Sequence, residues 1–155
     1  ERTPYGDASA SGCFIGLDQR HDRRHLARAV LEGVTHGLSD CFGLLREAGL
    51  DPRCVHLSGG GVRSLLWRQL CADLFGCPVA LTATVDATAY GAALLAAVGA
   101  GAFASEGEAC EAWVTVATPL LPGPEAPRLQ ERHALYQQLY PALKPLFSQL
   151  SSTQP

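Results

Sequence analysis

An α/β domain is predicted by three features of this chain. Helical and extended patterns alternate through its centre, between Asp22 and Val98. A triple glycine, Gly59-Gly60-Gly61, joins a short extended run to a helical one. Hydrophobic residues make up 47% and charged residues 17%, the balance of a folded chain rather than a disordered one. At ~100–200 residues per domain, the 155 residues are one domain and short for a two-domain enzyme.

Residues 1–11 are polar and turn-rich and read as an entry loop, with Asp7 as a turn former. Cys13-Phe14-Ile15-Gly16-Leu17 is a short apolar run, a strand end or an apolar turn. Asp22 caps a long helix. Leu26, Ala29, Val30, Gly33, Gly37, Cys41, Leu44, Leu45 and Ala48 recur along it at helical spacing and mark its apolar stripe. Gly33 and Gly37 each cost ~1 kcal/mol relative to Ala inside a helix. Their place on the stripe predicts close approach of another backbone. Gly49 ends the helix with a left-handed terminus.

Cys54-Val55-His56-Leu57 reads as a strand that runs into Ser58 and the glycines. The next helix places Leu65, Leu66, Gln69, Leu70, Asp73 and Leu74 three or four apart. Gly76 stops it and Pro78 prevents its continuation. Val79-Ala80-Leu81-Thr82 is a second strand. Asp86 caps a third helix to about Val98, closed by Gly99 and Gly101. The stretch from Ala87 to Ala104 is free of charge, yet Ala- and Gly-rich, with Thr88 and Tyr90 in it and no basic flanks. It reads as a buried helix, not a membrane span.

Residues 104–118 read as a weaker helix and an extended piece, Ala112-Trp113-Val114-Thr115-Val116. Pro119, Pro122, Pro124 and Pro127 mark a loop. A last helical pattern runs from about Leu129 to Leu150. Pro141 and Pro145 argue for one helix to about Tyr140 and then a kinked or separate short one. The domain is expected over 1–150, with a frayed tail over 151–155.

Charge and cysteines limit the function classes. The formal net charge of -3 leaves no electrostatic footprint for nucleic acid. Cys13, Cys41, Cys54, Cys71, Cys77 and Cys110 include no C-x-x-C pair, and several sit in apolar patterns, so they read as reduced thiols. The histidines show no zinc-ligand spacing near them. The start, Glu1-Arg2-Thr3-Pro4, has neither Met nor an apolar signal segment and reads as the middle of something longer.

The strand, triple glycine and helix over 54–75 form the strongest chemical signal. Without Cβ atoms the backbone can pass close to a ligand, and a helix N-terminus behind it suits phosphate. The motif lacks the lysine of a P-loop and the third glycine of G-x-G-x-x-G. A tight connection with no ligand is the plainer reading. No titratable residue stands out as catalytic. His56 reads as a packed histidine, His21 and His25 as solvent-facing, and His36 as a surface or interface residue. Asp73 reads as a structural hydrogen-bonding group and Trp67 as a packing residue. Arg63 and Arg68 are either solvated or near a nucleotide.

The blocks together carry more than their physics. Gly12-Cys13-Phe14-Ile15-Gly16-Leu17, with His25-Leu26-Ala27-Arg28-Ala29-Val30-Leu31-Glu32-Gly33-Val34 downstream, closely resembles the C-terminal signature of the FGGY carbohydrate kinases. Ser58-Gly59-Gly60-Gly61-Val62-Arg63-Ser64, with Leu66-Trp67-Arg68-Gln69 and Ala72-Asp73, resembles that family's adenosine-side motif. Asp86-Ala87-Thr88-Ala89-Tyr90-Gly91-Ala92-Ala93 resembles its next helix, which often begins with Glu. Glu1-Arg2-Thr3-Pro4 and the Tyr136/Tyr140 ending are most similar to the xylulokinase branch. Ser11 stands where Arg is common and His36 where Phe is common.

The resemblance implies part of an actin-like, ribonuclease-H-like fold, the C-terminal domain of a two-domain kinase roughly three times this length. It implies ATP and Mg2+ as cofactors, and nucleotide contact by Gly59, Gly60, Gly61 and Ser64. It implies phosphoryl transfer to a sugar, D-xylulose first, with ribulose, gluconate or glycerol as alternatives. The catalytic base, the sugar site and the phosphate-binding hairpin would lie outside this chain, which alone would be inactive. It supplies no catalytic residue or metal ligand by this reading. A cytoplasmic enzyme is expected, with no nucleic-acid or membrane partner, and homodimerisation is left open. A non-catalytic actin-like interaction domain is the alternative from another class.

Overall fold

In a computed structural model of the chain, residues 3–84 and 86–153 are described. The resembling pair Glu1-Arg2 and the tail residues Gln154 and Pro155 lie outside them. The first element is α1, Arg23–Glu47. Asp22 caps it by accepting from the Arg24 and His25 N–H groups, and the His25 ring returns a bond to the Asp22 backbone. This is a capping box with histidine in the place of the usual Glu or Gln. Ala48 closes the helix and Gly49 follows at φ +83°.

Strand β1 covers Val55–Leu57, helix α2 covers Leu65–Phe75 and strand β2 covers Val79–Leu81. β1 and β2 pair in parallel, with Val55 opposite Val79 and Leu57 opposite Leu81. Parallel neighbours need a crossover, and α2 supplies it. Gly76 at φ +64° stops α2, as a left-handed cap does without steric cost only for glycine. Antiparallel bridges from Val79 to Leu120 and from Thr82 to Val116 add a third extended segment beside β2.

Helices α3, Ala87–Gly99, and α4, Glu106–Trp113, follow, and α5 runs over Ala126–Thr153. Asp86 caps α3 by accepting from the Ala89 N–H. Ala112 and Trp113 belong to α4, so the extended segment begins after them. α5 is one helix through both Pro141 and Pro145, a correction to the expected break. The two prolines stand four apart on the exposed side of the helix. The carbonyls that lose a donor there, those of Gln137 and Pro141, can turn to water. Ser151–Thr153 continue α5, so those residues of the expected frayed tail are helical.

The core lies between α1, α2 and β2. Phe42, Cys71, Ala72, Phe75, Cys77 and Val79 form one buried cluster, with Val55, Leu57 and Trp67 packed on it. The Phe42 and Phe75 rings stack at 5.0 Å. Leu70, Leu74 and Leu129 form a second cluster that carries α5.

Two expectations about burial need correction. α1 buries Thr35, His36, Ser39, Asp40 and Phe42, whereas Val30, Leu44 and Leu45 of the apolar stripe are exposed. The buried hydroxyls find partners instead of oil. Thr35 Oγ1 donates to the Leu31 carbonyl at 2.7 Å, and Ser39 Oγ to the Leu74 carbonyl at 3.4 Å. Among the described residues, no second backbone approaches the helix glycines: a Cβ on Gly33 would meet nothing within 4 Å, and one on Gly37 would meet the Tyr136 hydroxyl at 3.6 Å. α3 is likewise not a buried helix. Leu94 is its buried residue and Leu95 is 62% exposed. α3 packs on α4, where the Tyr90 hydroxyl donates to the Trp113 carbonyl at 2.6 Å. Among the described residues, no helix is long and apolar enough to cross a membrane.

Candidate functional site

The glycine turn follows directly from β1. Gly59 sits at φ +88°, ψ −179°, a conformation that residues with a Cβ avoid. Gly60–Arg63 then make one turn of 3-10 helix before α2 starts. The glycines therefore do not run straight into the α-helix. The Val62 N–H donates to the Gly59 carbonyl at 3.3 Å and the Ser64 N–H to the Gly61 carbonyl at 3.1 Å. Neither bond uses the N–H of Gly60 or Gly61.

Gly59, Gly60 and Gly61 are all exposed. A Cβ at Gly59 or Gly60 would point into open space. At Gly61 it would stand 3.0 Å from the Trp67 ring. The half-buried indole reaches from the core to the underside of the turn and sets its height. Ser64 lies behind the glycines as the cap of α2, its Oγ accepting the Trp67 N–H at 3.2 Å. The turn thus presents bare backbone outward on a base fixed by Ser64 and Trp67. Such a surface suits a flat or anionic ligand that must come close to the main chain.

Nearby groups divide as follows. Arg63 is exposed, while Arg68 is half-buried and its Nε is buried without a hydrogen-bond partner. Asp73 is 2% exposed. Its Oδ1 accepts from Gln69 Nε2 at 2.8 Å and from the Gly123 N–H at 2.6 Å. It ties the proline-rich loop to α2, which is the structural role expected. Asp7 accepts from the Ser9 N–H at 2.8 Å and from the Tyr140 hydroxyl at 2.8 Å, so the turn former also anchors α5.

The histidines depart from expectation in part. His21 and His25 are solvent-facing. His56 is exposed at the middle of β1, not packed, because the strand turns alternate side chains outward. His36 is buried, not at the surface. Its Nδ1 lies 3.2 Å from Nδ1 of His133, and its ring stacks on Tyr136 at 5.0 Å. Burial first, and the neighbouring His133 second, push its pKa down to about 4. Burial pushes the Cys71 thiol up to about 12, far from thiolate chemistry. Among the described residues, no group of three or more His, Cys, Asp or Glu side chains could hold a metal ion.

Sequence reasoning missed a buried polar set between α1 and α5. Asp40 Oδ1 accepts from Gln137 Nε2 at 2.8 Å and lies 3.2 Å from His133 Nε2. Contacts advance together along both helices, from Glu32–Arg132 to Asp40–Gln137, so the two run in the same direction. A signal existed in the charged and polar residues that interrupt α1 at 35, 36, 39 and 40.

Residues 1–100 match the FGGY family of carbohydrate kinases, C-terminal domain. A xylulose kinase of Staphylococcus epidermidis is 36% identical over 96% of this chain and 29% of its own length. An erythritol kinase of Brucella abortus is 33% identical over 98% of this chain and 29% of its own. The crystal structure of a ligand-bound xylulose kinase from Lactobacillus acidophilus superposes with a TM-score of 0.88 at 29% identity, over 96% of this chain and 30% of that one. Glycerol and gluconate kinases are also among the similar proteins. The class so defined is an α/β piece of the actin-like fold of sugar kinases. The chain belongs to the FGGY family of carbohydrate kinases and corresponds to its C-terminal domain. It spans about a third of the length of the relatives it matches.

Proposed function

We propose that this chain is the nucleotide-binding part of a sugar kinase. The observation that carries the reading is the outward-facing glycine turn, with open space above Gly59 and Gly60 and the Trp67 ring beneath Gly61. Gly59, Gly60 and Gly61 would pass along the adenosine and α-phosphate of ATP, and Ser64 would hold the turn in place as the cap of α2. Mg2+ would arrive on the nucleotide phosphates. When bound, the nucleotide supplies a γ-phosphoryl group for in-line transfer to a sugar hydroxyl, a reaction that depends mainly on positioning and charge stabilisation.

D-xylulose is the first sugar to try, since several similar proteins carry the name xylulose kinase. Erythritol, gluconate and glycerol are the next, on the names of others. By this reading the catalytic base and the sugar pocket belong to the rest of the kinase, and the setting is cytoplasmic. A thermal-shift scan with Mg·ADP tests the reading against a non-catalytic interaction domain. Stabilisation that saturates with ADP supports it; no shift at millimolar ADP contradicts it. Turnover of D-xylulose by the purified chain alone would contradict the placement of base and sugar site elsewhere.

A further inference from the structure

An open groove of about 500 Å³ lies between the first turns of α1 and α5. Arg24 and Arg28 line it from α1, and Arg128 and Arg132 line it from α5. Each pair stands four residues apart, so each helix carries its two arginines on one face. The helices run in the same direction, which sets the two pairs opposite each other.

The groove is held in place before any ligand arrives. Leu129, between Arg128 and Arg132, is buried with Leu70 and Leu74. Arg28 Nε donates to Glu32 Oε1 at 2.6 Å, and Arg132 Nη1 lies 3.4 Å from Glu32 Oε2. Arg128 Nη1 lies 3.4 Å from Glu125 Oε2. The Arg28, Arg128 and Arg132 side chains nevertheless stay 43–64% exposed. A guanidinium has five N–H donors, so each keeps donors for a ligand. Arg24 is exposed and, among the described residues, in no ion pair. His25 also borders the groove, but its ring is engaged by Asp22 at 2.8 Å.

Four guanidinium groups against the carboxylates of Glu32 and Glu125 leave an excess of two positive charges. The excess stands against the overall sign of the chain, whose formal net charge is -3. It also opposes helix stability. Like charges four apart repel, and cations in a first turn oppose the helix dipole. Neither α1 nor α5 has an acidic residue in its first turn. An anion between the helices would offset both effects.

We propose that this groove binds a phosphate dianion carried on a small hydroxyl-bearing body, at a site separate from the glycine turn. A phosphate monoester is close to doubly charged at neutral pH and matches the excess. The planar guanidinium fork suits phosphate oxygens. A single carboxylate would leave one positive charge over, and a metal cation would be repelled. A nucleic-acid strand would bring its phosphates against Glu32 and Glu125 on a chain of negative net charge. The volume exceeds that of bare phosphate and falls within the usual range for small ligands, roughly 300–1,000 Å³. The two carboxylates can accept from hydroxyl groups of the body.

Glycerol 3-phosphate is a suitable probe, with inorganic phosphate and glycerol as its two halves. In calorimetric titrations of the chain at constant ionic strength, the ester binds at one site and more tightly than either half. Arg24→Gln and Arg128→Gln each weaken it roughly fivefold, the gain of one half-exposed charge pair. Neither variant lowers the melting temperature without ligand, because each removes a repelled cation. Arg53→Gln, which removes an exposed arginine outside the groove, leaves the affinity unchanged. No saturable heat at millimolar ester overturns the proposal. So does an equal loss in Arg53→Gln, which would assign the effect to net charge alone. Equal affinity for inorganic phosphate would overturn the part given to the body.

Discussion

The Trp67 ring stands 3.0 Å from where a Cβ on Gly61 would lie. Two residues six apart in sequence therefore fix each other: the indole supports the turn, and the glycine leaves it room. Gly61→Ala forces the ring or the turn to shift, and overpacking of this kind costs ~1–3 kcal/mol. Chemical denaturation should show a loss in that range, and Trp67→Leu should recover most of it in the double variant. A loss that persists in full in the double variant would separate the two residues.

Gly60 differs from its neighbour. A Cβ there meets nothing within 4 Å, and its φ is not in the left-handed region. Gly60→Asp should leave the melting temperature nearly unchanged while placing a negative charge where a nucleotide phosphate would pass. Affinity for Mg·ADP should fall at least about tenfold, equivalent to ~1.4 kcal/mol. Titration of the unsubstituted chain and of Gly60→Asp by calorimetry checks this. Equal affinities would remove Gly60 from the site.

Asp73 holds the proline-rich loop through the Gly123 N–H and clasps Gln69. Asp73→Ala removes a charged acceptor and leaves that N–H unpaired beside a buried wall. A loss of ~2–3 kcal/mol is expected. Amide exchange should rise first at Gly123 and in the segment that bridges to β2. A uniform rise throughout α2 would point to a different role.

His36 makes stability depend on pH. Its pKa is about 4 in the fold against 6.5 ordinarily, lowered first by burial and next by His133, with Arg132 opposing its charge and Glu32 and Asp40 favouring it. As pH falls through 6.5 the unfolded chain takes up this proton and the folded chain does not. The contribution is therefore fully present above about 6.5 and is lost progressively as pH falls toward 4. Each pKa unit is ~1.4 kcal/mol, so the full span is roughly 3 kcal/mol. Denaturation curves from pH 7.5 to 4.5 measure it. His36→Phe should flatten the curve over that window; an unchanged slope would assign the effect elsewhere.

Helix ends are legible in the sequence because the residues that make them act locally. Asp22 and Asp86 each cap the helix that follows, and Gly76 takes the left-handed terminus because little else can. The parallel pairing of β1 and β2 follows from strand, helix and strand in succession. The buried faces of α1 and α3 are not legible from their apolar patterns, because an apolar stripe predicts burial that this chain does not supply. Here Val30 and Leu95 remain open, while Asp40 and His36 lie inside between two parallel helices. Pairing of Asp40 with Gln137, nearly a hundred residues away, has no local signature. Nor had the stacking of Trp67 under Gly61, which needs the coordinates of the 3-10 turn between them. The glycine turn itself was legible as a motif, and its meaning came from resemblance more than from spacing.

The turn from Gly59 to Ser64 is the proposed contact with the nucleotide. Backbone amide resonances followed during a titration with Mg·ADP test it most directly. The amides of Gly59, Gly60, Gly61 and Ser64 should show the largest shift changes, saturating together, with α5 amides near Asp40 unmoved. Saturable changes centred on α1 and α5, or none at the glycines, would contradict it.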